Sequence, residues 1–129
     1  MGQGGVVCFL MAVPENGSWI LLAEDDKLFT MLFERAWKAA FPGVDVVKVS
    51  KVSELSVYCS KEASPKVAVL DRNLEDGSSL DYHERFICPV VLWSSDSSGE
   101  VRRKPVGREE LEMAIQEIAR IGGVVVPPQ

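Results

Sequence analysis

The chain has 129 residues, 47% of them hydrophobic and 26% charged, which suits one globular domain with a single core and excludes intrinsic disorder. The formal net charge is −5 at pH 7 with no Lys/Arg block to offset it, which argues against direct binding to nucleic acid. Cysteines number three, Cys8, Cys59 and Cys88, an odd count without CxxC spacing; this disfavours a disulfide framework or a zinc site and points to reduced thiols in the cytoplasm.

Residues 6–13 (VVCFLMAV) form an apolar run too short to span a bilayer, and no Lys or Arg precedes it as in a signal peptide, so no membrane role is expected. Residues 1–18 read as an appendage: a loose segment, an added strand, or the product of a start codon placed upstream of Met11. The regular pattern begins at Trp19. Residues 19–23 (WILLA) are a continuous apolar run, the signature of a strand buried on both faces, and they stop abruptly at Glu24, Asp25 and Asp26. Residues 27–41 carry Phe29, Phe33, Trp37 and Ala40 at helical spacing, with Asp26 as N-cap and Pro42-Gly43 as stop.

A second strand is expected over 44–49 and a helix from about Ser53, with Val52, Leu55 and Cys59 at helical spacing and Pro65 beyond it. Residues 66–70 (KVAVL) read as a third buried strand ending at Asp71. Residues 72–79 (RNLEDGSS) read as a loop with turn chemistry at Asp76-Gly77. About two helical turns over 80–87, a fourth strand over 89–93, a polar stretch over 94–99 and a short charged strand over 100–103 follow. An amphipathic helix over 108–121 and a tail complete the chain. Strands alternating with helices predict a parallel sheet covered on both faces, spanning residues 19–122, with 123–129 as an irregular tail.

The unusual polar residues all fall just after strands: Glu24 and Asp25 after the first, Asp71 after the third, Ser94 after the fourth, Lys104 after the fifth. In a parallel sheet these positions share the carboxyl edge, where open α/β sheets bind ligands at the point of strand-order reversal. Crowded carboxylates repel one another and call for a cation; hard oxygen donors suit Mg²⁺. A lysine and a hydroxyl beside them are equipment for moving a phosphoryl group onto a carboxylate.

The segments LLAEDD (21–26), VAVLDRNLEDGSSL (67–80), PVVLWSS (89–95) and RKPVGREEL (103–111) together resemble the response-regulator receiver family of two-component signalling. The resemblance implies a flavodoxin-like three-layer sandwich with a five-stranded parallel sheet in the order 2-1-3-4-5. It implies Asp71 as phosphoacceptor, Ser94 as switch hydroxyl and Lys104 as phosphate-binding lysine. Mg²⁺ would be held by Glu24, Asp25, Asp71 and the backbone carbonyl of Asn73, and Lys104-Pro105 would be a cis peptide. Asn73 and Asp96 match positions that tune dephosphorylation.

The chain departs from the family in having only ten positions from Ser94 to Lys104, so helix four is expected to be missing or reduced, and in Val101 where an aromatic switch residue is common. The implied function is a single-domain regulator, not a conventional enzyme. It would take a phosphoryl group from a sensor histidine kinase or phosphotransfer protein and switch its binding to a downstream protein. Two alternatives stand beside it. One is a pseudo-receiver acting as a phosphorylation-independent interaction module. The other is an aspartate-nucleophile phosphatase, opposed by Asn73 where such enzymes place a second Asp. His83, the only histidine, has no assigned role.

Overall fold

A computed structural model describes residues 18–60, 64–94 and 102–124. Its elements are β1 (Trp19–Ala23), α1 (Lys27–Ala40), β2 (Asp45–Val49), a 3₁₀ helix (Val52–Cys59), β3 (Ala68–Asp71), β4 (Asn73–Leu74), β5 (Gly77–Ser78), a 3₁₀ turn (Leu80–Tyr82), β6 (Val90–Ser94), β7 (Arg102–Arg103) and α2 (Gly107–Ile121). Five strands form one parallel sheet in the order β2-β1-β3-β6-β7. With the small β4–β5 hairpin set aside, this is the expected 2-1-3-4-5 order.

The sheet separates two apolar layers because alternate strand residues face opposite ways. Ile20, Leu22, Val67, Val69, Val91 and Trp93 point to the side covered by α1 and α2, where they meet Phe33, Trp37, Leu111, Ile115 and Ile118. Leu21, Ala23, Ala68, Leu70 and Leu92 point to the other side and meet Leu55, Tyr58, Leu74 and Phe86. Trp37 is fully buried, and its indole N–H donates to the Val44 carbonyl at 3.0 Å. Truncating such a side chain to Ala costs about 3–5 kcal/mol. The end of α2 lies close on the segment entering β3: a Cβ at Gly122 would stand 2.9 Å from Val67 Cγ1.

Among the described residues, strand β7 pairs with the last two residues of β6, Trp93 with Arg102 and Ser94 with Arg103. The expectation for helix four falls on residues 95–101, outside the described residues, as does Asp96. Residues 1–17 and 125–129 also lie outside them; Val124, at the start of the expected tail, donates its N–H to the Ala119 carbonyl and packs on the α1–α2 layer.

Two expectations are corrected and one is refined. The helix expected from about Ser53 is present over Val52–Cys59 and winds as a 3₁₀ helix. Its serines and β-branched valines are poor α-helix residues, and its first N–H groups are held by Asp76 from another part of the chain. The two turns expected over 80–87 shrink to one 3₁₀ turn at Leu80–Tyr82. No peptide among the described residues is cis, so Lys104–Pro105 is trans, the isomer X–Pro bonds favour by about 0.5–1 kcal/mol.

Candidate functional site

The reversal of strand order falls between β1 and β3, so the ends of these neighbours carry their polar residues to one place. Beyond Ala23 the chain leaves the sheet, with Glu24 N–H still donating to the Val49 carbonyl at 2.9 Å. That bond carries Glu24 into the interior, where the residue as a whole is 4% exposed. Its Oε1 accepts the Asp26 N–H at 3.1 Å. Asp26 Oδ1 in turn accepts the Phe29 N–H at 3.1 Å and caps α1 as expected. Asp25, between them, is exposed.

Asp71 is the last residue of β3 and is 9% exposed. One carboxylate oxygen accepts the Asn73 N–H at 3.1 Å; the other accepts from Lys104 Nζ at 3.2 Å. Carboxylate oxygens of Glu24, Asp25 and Asp71 lie within 4.8 Å of one another. Lys104 enters from the segment joining β7 to α2. Its N–H donates to the Ser94 carbonyl at 2.8 Å, fixing that segment to the end of β6. Its ammonium stands 2.6 Å from Glu24 Oε2 and 4.3 Å above the centre of the Phe29 ring.

The electrostatics follow from this crowding. Burial pushes the Glu24 carboxyl up from 4.5 to about 7; Lys104 pulls it down, and the neighbouring Asp71 pushes it up again. Burial works against the Lys104 charge, but the Glu24 and Asp71 carboxylates outweigh it and hold the ammonium above its ordinary range. Glu24 Oε2 is buried and, despite the close ammonium, has no hydrogen bond of good geometry among the described residues. Three clustered carboxylates served by one lysine, with a buried oxygen left short of a partner, fit a hard divalent cation.

The structure thus gathers Glu24, Asp25, Asp71 and Lys104. Ser94, 3% exposed, ends β6 one residue beyond the Asp71–Trp93 pair, on the same edge. Asn73 sits beside Asp71 through its N–H. Three residues at the site were not singled out by sequence reading. Phe29 sits under the lysine; its helical spacing marked it only as core. Ser79 is fully buried and donates its hydroxyl to the Asp71 carbonyl at 2.6 Å. Asp76 anchors the loop after Asp71, and nothing but its turn position distinguished it.

No protein-family model and no curated protein matches the sequence. Solved structures do. A response regulator receiver domain from Rhodospirillum rubrum is similar with a TM-score of 0.64 at 20% identity, over 84% of this chain and 96% of that one. The phosphorylated cyanobacterial phytochrome response regulator RcpA gives 0.66 at 20% identity, over 86% and 99%. The Mn²⁺-bound form of response regulator Rcp1 gives 0.65 at 17% identity, over 86% and 99%. The likeness is one of fold: this chain has the receiver architecture, with an acidic cluster at the carboxyl edge of its sheet.

Proposed function

We propose that the chain is a receiver-type phosphorylation switch that accepts a phosphoryl group on Asp71. The observation that carries this reading is the Lys104 ammonium set between the Glu24 and Asp71 carboxylates, with Asp25 close enough to share a cation. In the proposed reaction an Asp71 carboxylate oxygen attacks the phosphorus of a phosphohistidine. The P–N bond breaks, its electron pair returns to the imidazole nitrogen, and an acyl phosphate forms.

Each residue has a task in that step. Lys104 supplies positive charge beside the incoming phosphoryl oxygens, and the Phe29 ring beneath it limits where the ammonium can swing. The Asn73 N–H holds one Asp71 oxygen and so sets which oxygen attacks. Ser94 offers a hydroxyl hydrogen bond to the transferred group. Glu24, Asp25, Asp71 and the Asn73 carbonyl are the groups that would hold Mg²⁺. When bound, the ion neutralises charge on the carboxylates and phosphoryl oxygens.

Once phosphorylated, Asp71 draws the Ser94 hydroxyl inward and shifts a two-state population that a partner protein reads. The phosphoryl donor in this reading is a sensor histidine kinase or phosphotransfer protein in the cytoplasm, and the output is a change in protein binding. No helix among the described residues is long and apolar enough to cross a membrane.

Incubation of the full chain with Mg²⁺ and acetyl phosphate or phosphoramidate, followed by intact mass, tests the reading. A gain of one phosphoryl group, lost in Asp71→Ala, is expected. No gain with either donor would favour a phosphorylation-independent interaction module.

A further inference from the structure

The loop that follows Asp71 is closed by one buried hydroxyl. The β1–β3 register starts with the Leu21 N–H donating to the Val67 carbonyl at 3.1 Å, and in a parallel ladder each second residue repeats the contact. Two steps further, the Asp25 N–H would face the Asp71 carbonyl, but β1 has ended at Ala23. A carbonyl at this buried position needs a donor. The Ser79 hydroxyl supplies it at 2.6 Å, and the Ser79 N–H donates to the Arg72 carbonyl at 2.9 Å. Ser79 is fully buried, so no water competes for either bond.

The far end of the same loop is tied down as well. β4 and β5 pair as a two-step hairpin, whose tip is clamped to the 3₁₀ helix. Asp76 Oδ1 accepts the Val52 N–H at 2.5 Å, Asp76 Oδ2 accepts the Ser53 N–H at 3.1 Å, and the Glu75 N–H donates to the Ser50 carbonyl at 3.4 Å. With the tip anchored, the bond among the described residues that holds the Asp71 carbonyl from this side is the one Ser79 makes. The Asn73 N–H, which holds an Asp71 carboxylate oxygen, lies inside the closed loop.

We infer that Ser79 is a positioning residue for Asp71: its hydroxyl replaces the missing ladder donor and sets both the Asp71 carboxylate and the Asn73 contact upon it. The inference rests on the phosphoacceptor reading for its functional consequence, but the geometric claim can be read without it. Misplacing an attacking oxygen by a fraction of an ångström is costly to a transfer step that depends on alignment.

The test uses the full chain with Mg²⁺ and phosphoramidate. It compares wild type, Ser79→Ala and, as a purely structural control, Ile118→Val in the layer on the opposite face of the sheet. Two quantities are read: the initial rate of phosphoryl uptake and the exchange rate of the Asn73 amide by NMR. Ser79→Ala is expected to slow uptake about tenfold or more and to speed Asn73 exchange by a similar factor, while Ile118→Val changes neither. If Ser79→Ala does not fold, Ser79→Cys, close in size with a weaker donor, is read in its place and is expected to shift both quantities in the same direction.

Uptake and exchange unchanged in the Ser79 variant, or changed no more than in Ile118→Val, would overturn the inference. If wild type takes up no phosphoryl group, the phosphoacceptor reading fails by itself. Asn73 exchange then decides the placement of Asp71: faster exchange in the Ser79 variant supports it, and unchanged exchange overturns it.

Discussion

Lys104 Nζ stands 2.6 Å from Glu24 Oε2, an ion pair in which the lysine side chain is 17% and the glutamate side chain 1% exposed. This pair ties the segment between β7 and α2 to the end of β1, across the central strands. Removing one partner of a buried pair leaves the other charge without compensation. Lys104→Met is therefore expected to destabilise the metal-free protein. Because Glu24 can escape by taking a proton, the loss is limited to about 2 kcal/mol above neutral pH and is smaller in acid. Urea unfolding in the presence of a chelator, at a pH on either side of neutrality, measures both values; equal losses at the two would contradict this origin.

Glu24 gives the metal-free protein a defined pH dependence. Its carboxyl titrates near 4.5 when unfolded and at about 7 when folded, so the folded state binds this proton more tightly. The Glu24 contribution to stability is fully present below about 4.5 and is lost as pH rises through about 7. The difference in unfolding free energy between wild type and Glu24→Gln isolates it and should show wild type losing ground across that window.

The same proton competes with a cation. A divalent ion needs the ionised carboxylate, so affinity for Mg²⁺ or Mn²⁺ should rise as pH passes upward through about 7, with proton release on binding. Calorimetric titration in buffers of different ionisation heat measures that release. Affinity independent of pH through this range would place the ion away from Glu24.

Trp93 lies directly across the ladder from Asp71, is 3% exposed, and meets Phe29 edge to face at 5.7 Å, the ring on which the Lys104 ammonium rests. A change of charge at Asp71 thus reaches the indole through three contacts, Asp71–Lys104, Lys104–Phe29 and Phe29–Trp93. Mg²⁺ and phosphoramidate should each alter tryptophan emission, and Trp93→Phe should abolish both responses while Trp19 and Trp37 remain.

Asp76 is fully exposed, yet its carboxyl is held below the usual range, first by the Val52 N–H and also by Ser53. Its contribution is present above the unfolded pKa and fades as pH falls through the folded one. Asp76→Ala should speed amide exchange at Val52 and Ser53 with little change in the α1–α2 layer, a difference hydrogen-exchange mass spectrometry resolves.

The parts of this architecture that were legible in the sequence are those with an uninterrupted physical signal. WILLA followed by three acids marks both a strand and the point where it leaves the sheet, and β1 occupies those five residues. The apolar face of α1 and the Asp26 cap bound that helix closely. The grouping of Glu24, Asp25, Asp71 and Lys104 followed from one rule, that parallel strands end on the same edge. What escaped depended on contacts between distant segments. The 3₁₀ winding of Val52–Cys59 goes with an acceptor supplied by Asp76, 24 positions from Val52, which no local propensity records. Ser79 could not be told from Ser78 beside it, because only the end of β1 creates the carbonyl it satisfies. The β4–β5 hairpin was read as a loop because two-residue strands carry no periodicity.

Location of the phosphoryl group tests the central claim most directly. After incubation with Mg²⁺ and phosphoramidate, borohydride reduces an acyl phosphate on an aspartate to the homoserine alcohol, and peptide mapping finds where. Reduction at Asp71 alone is expected. Reduction at Glu24 or Asp25, or at no position in protein that otherwise remains folded, would contradict it.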